Sequence, residues 1–157
     1  MIWHHKGTRV IAPVPSLSDI SVRVRRTAVQ SILNNTQTAI IFQAEDYDTN
    51  AFWAAGLPTR LVIPFTRKYA LSGQNNWAVN ATGIRRGFWR LNGVTVMGIS
   101  THQAVGVAGV GTSYPVYEEH LFNAGDFLEL MVQQTSGIAL DIQATGNFGA
   151  IHALPMQ

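Results

Sequence analysis

An all-β sandwich or barrel is the fold class that this chain of 157 residues predicts, and three features predict it. Short segments of β-branched and apolar residues recur along the sequence, about ten of them, with turn signals spaced every ~8–12 residues. No segment carries a convincing apolar period of 3.6 residues, so no helix is expected to interrupt them. The dipeptide Asn92-Gly93, both of whose residues accept positive φ, is the strongest short hairpin signal present.

Taken in order, residues 1–20 read as an extended arm. Pro13 and Pro15 remove ladder donors and press the residues before them into extended conformations. Ile2, Trp3, Val10 and Ile11 follow no helical stripe. The globular domain, residues 21–157, begins where the period becomes two, with Val22 and Val24 alternating with Arg23 and Arg25. Asn34-Asn35 marks a turn and residues 38–42 resume the strand. Residues 45–50 (Glu-Asp-Tyr-Asp-Thr-Asn) read as a polar loop, and residues 51–56 are too short for a helix. Residues 59–65 form a strand that Pro64 ends or marks as an edge. Residues 68–72 form another, reaching Trp77 through Gly73-Gln74-Asn75-Asn76. Residues 85–91 and 94–100 flank the Asn-Gly turn. Residues 104–111, small and glycine-rich, read as a mobile loop or a close-packing segment. Residues 114–122, 126–133, 138–143 and 148–154 complete the set, separated by Asn123-Ala124-Gly125, Ser136-Gly137 and Gly146-Asn147.

Strand parity then assigns faces. Leu128, Leu130 and Val132 share one face and are expected in the core. Phe127 and Met131 share the other, where Glu129 between them needs water or a partner. Phe88 and Trp89 are adjacent, so one is expected inside and one outside as a contact residue. Trp77 is expected in the packing.

Hydrophobic residues make up 46% of the chain and charged residues 13%, against roughly 25% charged in an ordinary soluble domain. That composition excludes a disordered chain. It also implies more covered surface than a lone monomer provides, hence an oligomer. No apolar run approaches the ~20 residues of a spanning helix, so membrane insertion is not expected. The absence of cysteine excludes disulfide scaffolds, zinc–thiolate sites, iron–sulfur clusters and thiol catalysis. The opening residues, Met1-Ile2-Trp3-His4-His5-Lys6, do not read as a signal peptide, so Asn34-Asn35-Thr36 and Asn80-Ala81-Thr82 read as turns, not glycosylation sites. Charge is uneven: Lys6, Arg9, Arg23, Arg25 and Arg26 against Asp19 give residues 1–26 a net +4, and the rest carries −2. A basic leader of this kind is expected to meet an acidic surface. No nucleic-acid partner is expected, because the basic residues are few and no aromatic base-stacking strand accompanies them.

Candidate chemistry is sparse. Glu45, Asp46 and Asp48 offer oxygens for Ca²⁺, but in no standard loop spacing, and read as turn-capping side chains. His4 and His5 are adjacent and face opposite ways in an extended arm; His102, His120 and His152 lie on separate segments. There is no Gly-x-Ser-x-Gly elbow, and Gly106-Val107-Ala108-Gly109-Val110-Gly111 lacks the Lys-Ser/Thr ending of a phosphate loop. Glu118 and Glu119 are neighbours on one strand and point to opposite faces, which does not suit paired-carboxylate chemistry. The aromatics Trp53, Trp77, Phe88, Trp89 and Tyr114 read as packing, with sugar stacking as the functional alternative. No catalytic, metal or cofactor site is expected, and the chain is not expected to be an enzyme.

Three segments carry a family resemblance. Pro64 through Tyr69 to Gly73 resembles the Pro-x-x-Gly-x-Tyr strand of C1q-like domains, with a basic residue in place of the usual glycine. Asn123-Ala124-Gly125-Asp126-Phe127-Leu128-Glu129-Leu130 resembles their Gly-Asp strand. Phe148-Gly149-Ala150-Ile151-His152-Ala153-Leu154 is similar to the final strand of C1q and tumour-necrosis-factor (TNF) domains, one residue longer than the TNF ending. Gln30 to Ile40, Glu45 to Thr49 and Ala78 to Arg85 resemble the opening and the recurring loops of C1q-like domains carried by bacteriophage virion proteins. The likeness covers residues 22–155.

The resemblance implies a C1q/TNF-like ten-strand jelly-roll sandwich, preceded by the extended N-terminal arm and assembled as a homotrimer around a hydrophobic axis. Tyr69, Phe127, Met131, Phe148, Ile151, His152 and Leu154 are its candidates for the trimer interface or the core. No Gly-X-Y stalk precedes the domain; the arm stands in its place, with Trp3, Lys6, Arg9, Val10 and Ile11 as the attachment residues. The function expected on this basis is a virion structural protein, decorating the capsid or head surface, with the major capsid protein or another virion protein as partner. The alternative is a receptor-binding tail tip or fibre head that contacts host-surface glycans through its loops. A secreted ligand of the C1q type lacks its signal peptide and stalk here.

Overall fold

Period-two alternation builds two antiparallel sheets whose apolar faces meet. In the computed structural model, which describes residues 20–105 and 109–155, the first sheet runs in the order β4 (Ala44–Asp48), β1 (Ser21–Arg25), β12 (Phe148–Ala153), β6 (Arg67–Asn76), β9 (Ser113–Phe122). The second runs β3 (Thr38–Ala39), β10 (Phe127–Gln134), β7 (Ile84–Leu91), β8 (Thr95–Gln103), with β5 (Leu61–Val62) also paired to β10. A short ribbon joins β2 (Gln30–Ile32) to β11 (Leu140–Ile142). Among the described strands only β7 pairs with its immediate successor, β8, and β12 returns to lie between β1 and β6. This crossing of strands between two sheets is a jelly roll, within the all-β class that the strand spacing predicts and as the resemblance implies.

The core follows the parities. Val22 and Val24, Tyr69 and Leu71, Tyr114, Val116 and Phe122, and Ile151 face inward from the first sheet. They meet Trp89, Leu128, Leu130 and Val132 from the second, so the Leu128 parity is the inner one. Gly73 and Gly149 are register partners on β6 and β12. A Cβ on Gly149 would lie 2.9 Å from the Phe42 ring and 3.2 Å from the Trp89 indole, and one on Gly73 would lie 2.9 Å from Leu130. The indole of Trp89 therefore packs over a patch of the opposite sheet that has no side chains.

The β7–β8 turn is the expected Asn92-Gly93, with φ of 50° and 73°. Asn92 Nδ2 donates to Asp126 Oδ1 (2.8 Å), and its Oδ1 accepts from the Phe127 N–H (2.9 Å), which ties the hairpin to the next strand. Gly98 on β8 has φ +59°, and a Cβ there would stand 2.5 Å from the Tyr117 carbonyl oxygen. β8 thus lies directly against the edge of β9.

Several expectations are corrected. The described chain has twelve strands, not ten. The polar segment 45–50, read as a loop, supplies β4. It pairs as an edge strand, where polar side chains keep their water, and a bulge between Arg23 and Val24 places Asp46 out of register. Its carboxylate accepts from Arg23 Nε (3.0 Å) and Arg25 Nε (2.7 Å). Asp48 accepts the backbone N–H groups of Asn50, Phe52 and Trp53 at 3.2, 3.0 and 2.8 Å. These carboxylates serve arginines and a turn, not a shared ligand set. Asp48→Ala leaves three donors without their acceptor and is expected to cost about 1–3 kcal/mol in chemical denaturation.

Strands expected over residues 38–42 and 59–65 shrink to two residues each. Past β3 the backbone finds other partners: the Phe42 N–H donates to Pro58, and Arg26 donates to the Ile41 carbonyl.

Phe88 and Trp89 do not divide between inside and outside, since both are buried. Phe88 pairs with Met131 on the far face of the second sheet. The flanking pairs Arg86–Gln133 and Arg90–Glu129 stand on either side of it in the same face. Glu129 finds its partner there: its carboxylate accepts from Arg90 Nη2 (2.8 Å) and Thr59 Oγ1 (3.1 Å), with Arg60 at 3.8 Å.

Candidate assembly surface

The inner parities of the first sheet are used by the core, so the other parities form one broad outward face. Strand register arranges that face in rows. Ala150, Ser72 and Tyr117 lie side by side across β12, β6 and β9, and His152, Ala70 and Glu119 form the next row. Lys68 and Leu121 make a third, beside Leu154, whose N–H donates to the Lys68 carbonyl. The middle of the face is therefore a shallow floor of Ala150, Ser72 and Ala70. On its β9 side stand Tyr117 and Leu121, 67% and 57% exposed, two large apolar side chains on the same face of one strand. A groove of about 530 Å³ opens between Leu121 and Leu154–Pro155, with Lys68, Arg67 and Glu119 in its walls.

On the other side of the floor the face is polar and internally paired. Arg23 stacks its guanidinium 3.9 Å from the centre of the Phe148 ring and pairs with Asp46. The hydroxyl of Tyr47 lies 3.3 Å from His152 Nε2. Burial of the imidazole, and the charge of Arg23, hold the His152 pKa below its ordinary value.

The seven candidates drawn from the sequence thus fall in three places. Phe148, His152 and Leu154 are on the outward face. Tyr69 and Ile151 are inside: the Tyr69 hydroxyl donates to the Phe65 carbonyl (2.9 Å), its ring meets Phe52 edge-on, and burial raises its pKa. Met131 and Phe127 belong to the second sheet, Met131 buried opposite Phe88 and Phe127 half-covered by the Arg60 guanidinium at 4.1 Å. The arm residues Trp3, Lys6, Arg9, Val10 and Ile11 lie outside the described residues, and the glycine-rich stretch 104–111 lies partly outside them.

The basic leader is also corrected. Arg23 and Arg25 are engaged by Asp46. Arg26 is buried, with a lowered pKa from burial, and donates to Gln30, Ile41 and Ala28. Three of its five cations therefore serve the fold.

Sequence reasoning missed Tyr117, Leu121, Lys68 and Glu119. A signal was present for the first two. The segment Ser113–Phe122 carries apolar residues on both parities, Tyr114, Val116 and Phe122 on one, Tyr117 and Leu121 on the other, which is the pattern of a strand covered on both faces.

No family model and no curated protein matches the sequence. Solved structures do match. The crystal structure of murine APRIL at pH 8.5 superposes with a TM-score of 0.65 at 12% identity, covering 85% of this chain and 98% of that one. Eiger TNF from S. frugiperda superposes with a TM-score of 0.62 at 9% identity, covering 88% and 94%. At these identities the likeness is one of architecture, and it places this chain among the TNF-like jelly rolls.

Proposed function

We propose that the protein is a homotrimeric structural component of a phage particle, fixed to the capsid or head surface by its N-terminal arm. Self-association uses the outward faces of β12, β6 and β9. The observation that carries this reading is Tyr117 and Leu121 standing exposed beside a floor of Ala150, Ser72 and Ala70. A flat floor of small residues admits close approach by a neighbour, and burying one large apolar side chain contributes roughly 1.5–3 kcal/mol. The low charge of the chain agrees with a covered surface. The virion assignment is supported by the resemblance of residues 30–40, 45–49 and 78–85 to C1q-like domains of phage proteins, and the TNF-like fold is consistent with it. The role is adhesion without turnover, in which three linked attachments give an avidity that one does not.

Sedimentation equilibrium tests the first part. The wild-type chain is expected to be a trimer at micromolar concentration. Tyr117→Ser and Leu121→Ser are each expected to weaken it by about tenfold or more without changing the circular dichroism spectrum. A compact wild-type monomer overturns the reading. For the second part, a chain lacking the arm up to but not including Ile20, whose carbonyl accepts from the Ala153 N–H of the domain, is expected to remain folded and trimeric but to be absent from particles. Particle reconstruction separates the alternatives: many copies over the head support decoration, and a few at the tail support a receptor-binding tip whose partner is a host-surface glycan.

A further inference from the structure

Lys68 and Glu119 are exposed, opposite in sign and diagonal neighbours on the outward face, because Lys68 pairs in register with Leu121 and Ala70 with Glu119. Neither takes part in an ion pair among the described residues, although both line the same groove. Arg67 lines it too, and its Nε is buried without an acceptor. Elsewhere on this face the cations are neutralised within the chain, Arg23 and Arg25 by Asp46. The groove wall is thus the part of the face that presents unmatched charge of both signs. If the trimer covers it, each charge left alone pays a large desolvation penalty, which only a partner of opposite sign offsets.

We infer that the subunit junction is an ion pair between copies: Glu119 of one chain enters the groove of the next and is bound by its Lys68, with Arg67 as a second donor. The occupant is a second copy of this chain, chosen by charge complementarity. The junction is head-to-tail, each copy giving its carboxylate to one neighbour and its cations to the other, which is the arrangement that closes a ring. This inference rests on the trimeric reading above.

Charge exchange, followed by sedimentation equilibrium at physiological salt, tests it. Lys68→Glu and Glu119→Lys alter exposed side chains, so both variants are expected to keep the wild-type circular dichroism spectrum. Each alone is expected to weaken association by at least about tenfold through like-charge contact, and the double variant Lys68→Glu/Glu119→Lys is expected to regain most of it. An equimolar mixture of the two single variants is expected to associate more strongly than either alone, yet less than wild type, since a ring of three drawn from two variants keeps one like-charged junction. A trimeric wild type whose mixture gains nothing overturns the ion pair and leaves the trimer standing, including the case in which the double variant recovers because the pairing lies within one chain. A wild type that does not associate overturns both.

Discussion

Ile151→Asp is expected to abolish folding. Ile151 is fully buried in the middle of β12, with Val22 and Leu71 as its register partners on either side, both buried as well. Both side chains beside it across the ladder are aliphatic, so a carboxylate there meets no cation in register. An ionised carboxylate there loses its water for a cost of several kcal/mol, and removal of the isoleucine forfeits about 2–5 kcal/mol of packing. A domain of ordinary stability holds about 5–15 kcal/mol in total. The variant is expected to show no cooperative thermal transition by circular dichroism. The control is one residue away. His152 points to the opposite, exposed face beside Arg23 and Tyr47, and His152→Asp is expected to change stability by less than about 1 kcal/mol. Equal loss in both variants would show that β12 is not packed in this register.

Trp89→Ala is expected to cost about 3–5 kcal/mol, the usual range for a buried aromatic truncated in a core that cannot close around the space. The size follows from where the indole sits: it is fully buried and spans the sandwich to the Gly73–Gly149 pair. The same contact predicts the reverse insult. Gly149→Val drives methyl groups into Phe42 and Trp89, at an expected cost of about 1–3 kcal/mol. The two effects are not independent. With Trp89 already cut to alanine, the valine has space to occupy, and its cost is expected to shrink by about 0.5–3 kcal/mol in urea titrations of the four chains of the cycle. Strict additivity would show that Trp89 and Gly149 do not meet.

Much of this architecture could be read from the residues because the reading depended on local rules. Alternation at Val22 and Val24, the parity of Leu128, Leu130 and Val132, and the Asn92-Gly93 turn each follow from backbone geometry that only near neighbours decide. Failures came where a distant segment decided. Glu45 to Asp48 has the composition of a loop, and becomes a strand because β1 offers it an edge and two arginines. Phe88 is hidden on the nominally outer face by long side chains from β7 and β10, a cover that alternation along one strand does not reveal. At the candidate site, Phe148, His152 and Leu154 were found through the motif of the last strand. Tyr117 and Leu121 were not, because their strand lies between the segments that carry the resemblance and its two faces were not assigned from the sequence.

The contact between Gly98 and the carbonyl of Tyr117 bears on what kind of object this chain makes at high concentration. β9 ends the first sheet with ten residues, and an open edge of that length is a template on which further chains can add without limit. β8 lies across it, at a spacing that even one methyl group at position 98 would violate. Covering that edge from within removes this ten-residue strand as a template, and the sheet's other edge, β4, is short and polar. Copies that associate are left to meet by side-chain contact, which closes at a fixed number of subunits once its rotation returns on itself. A glycine that packs two strands of one molecule thereby helps to separate a particle of defined size from a growing fibre.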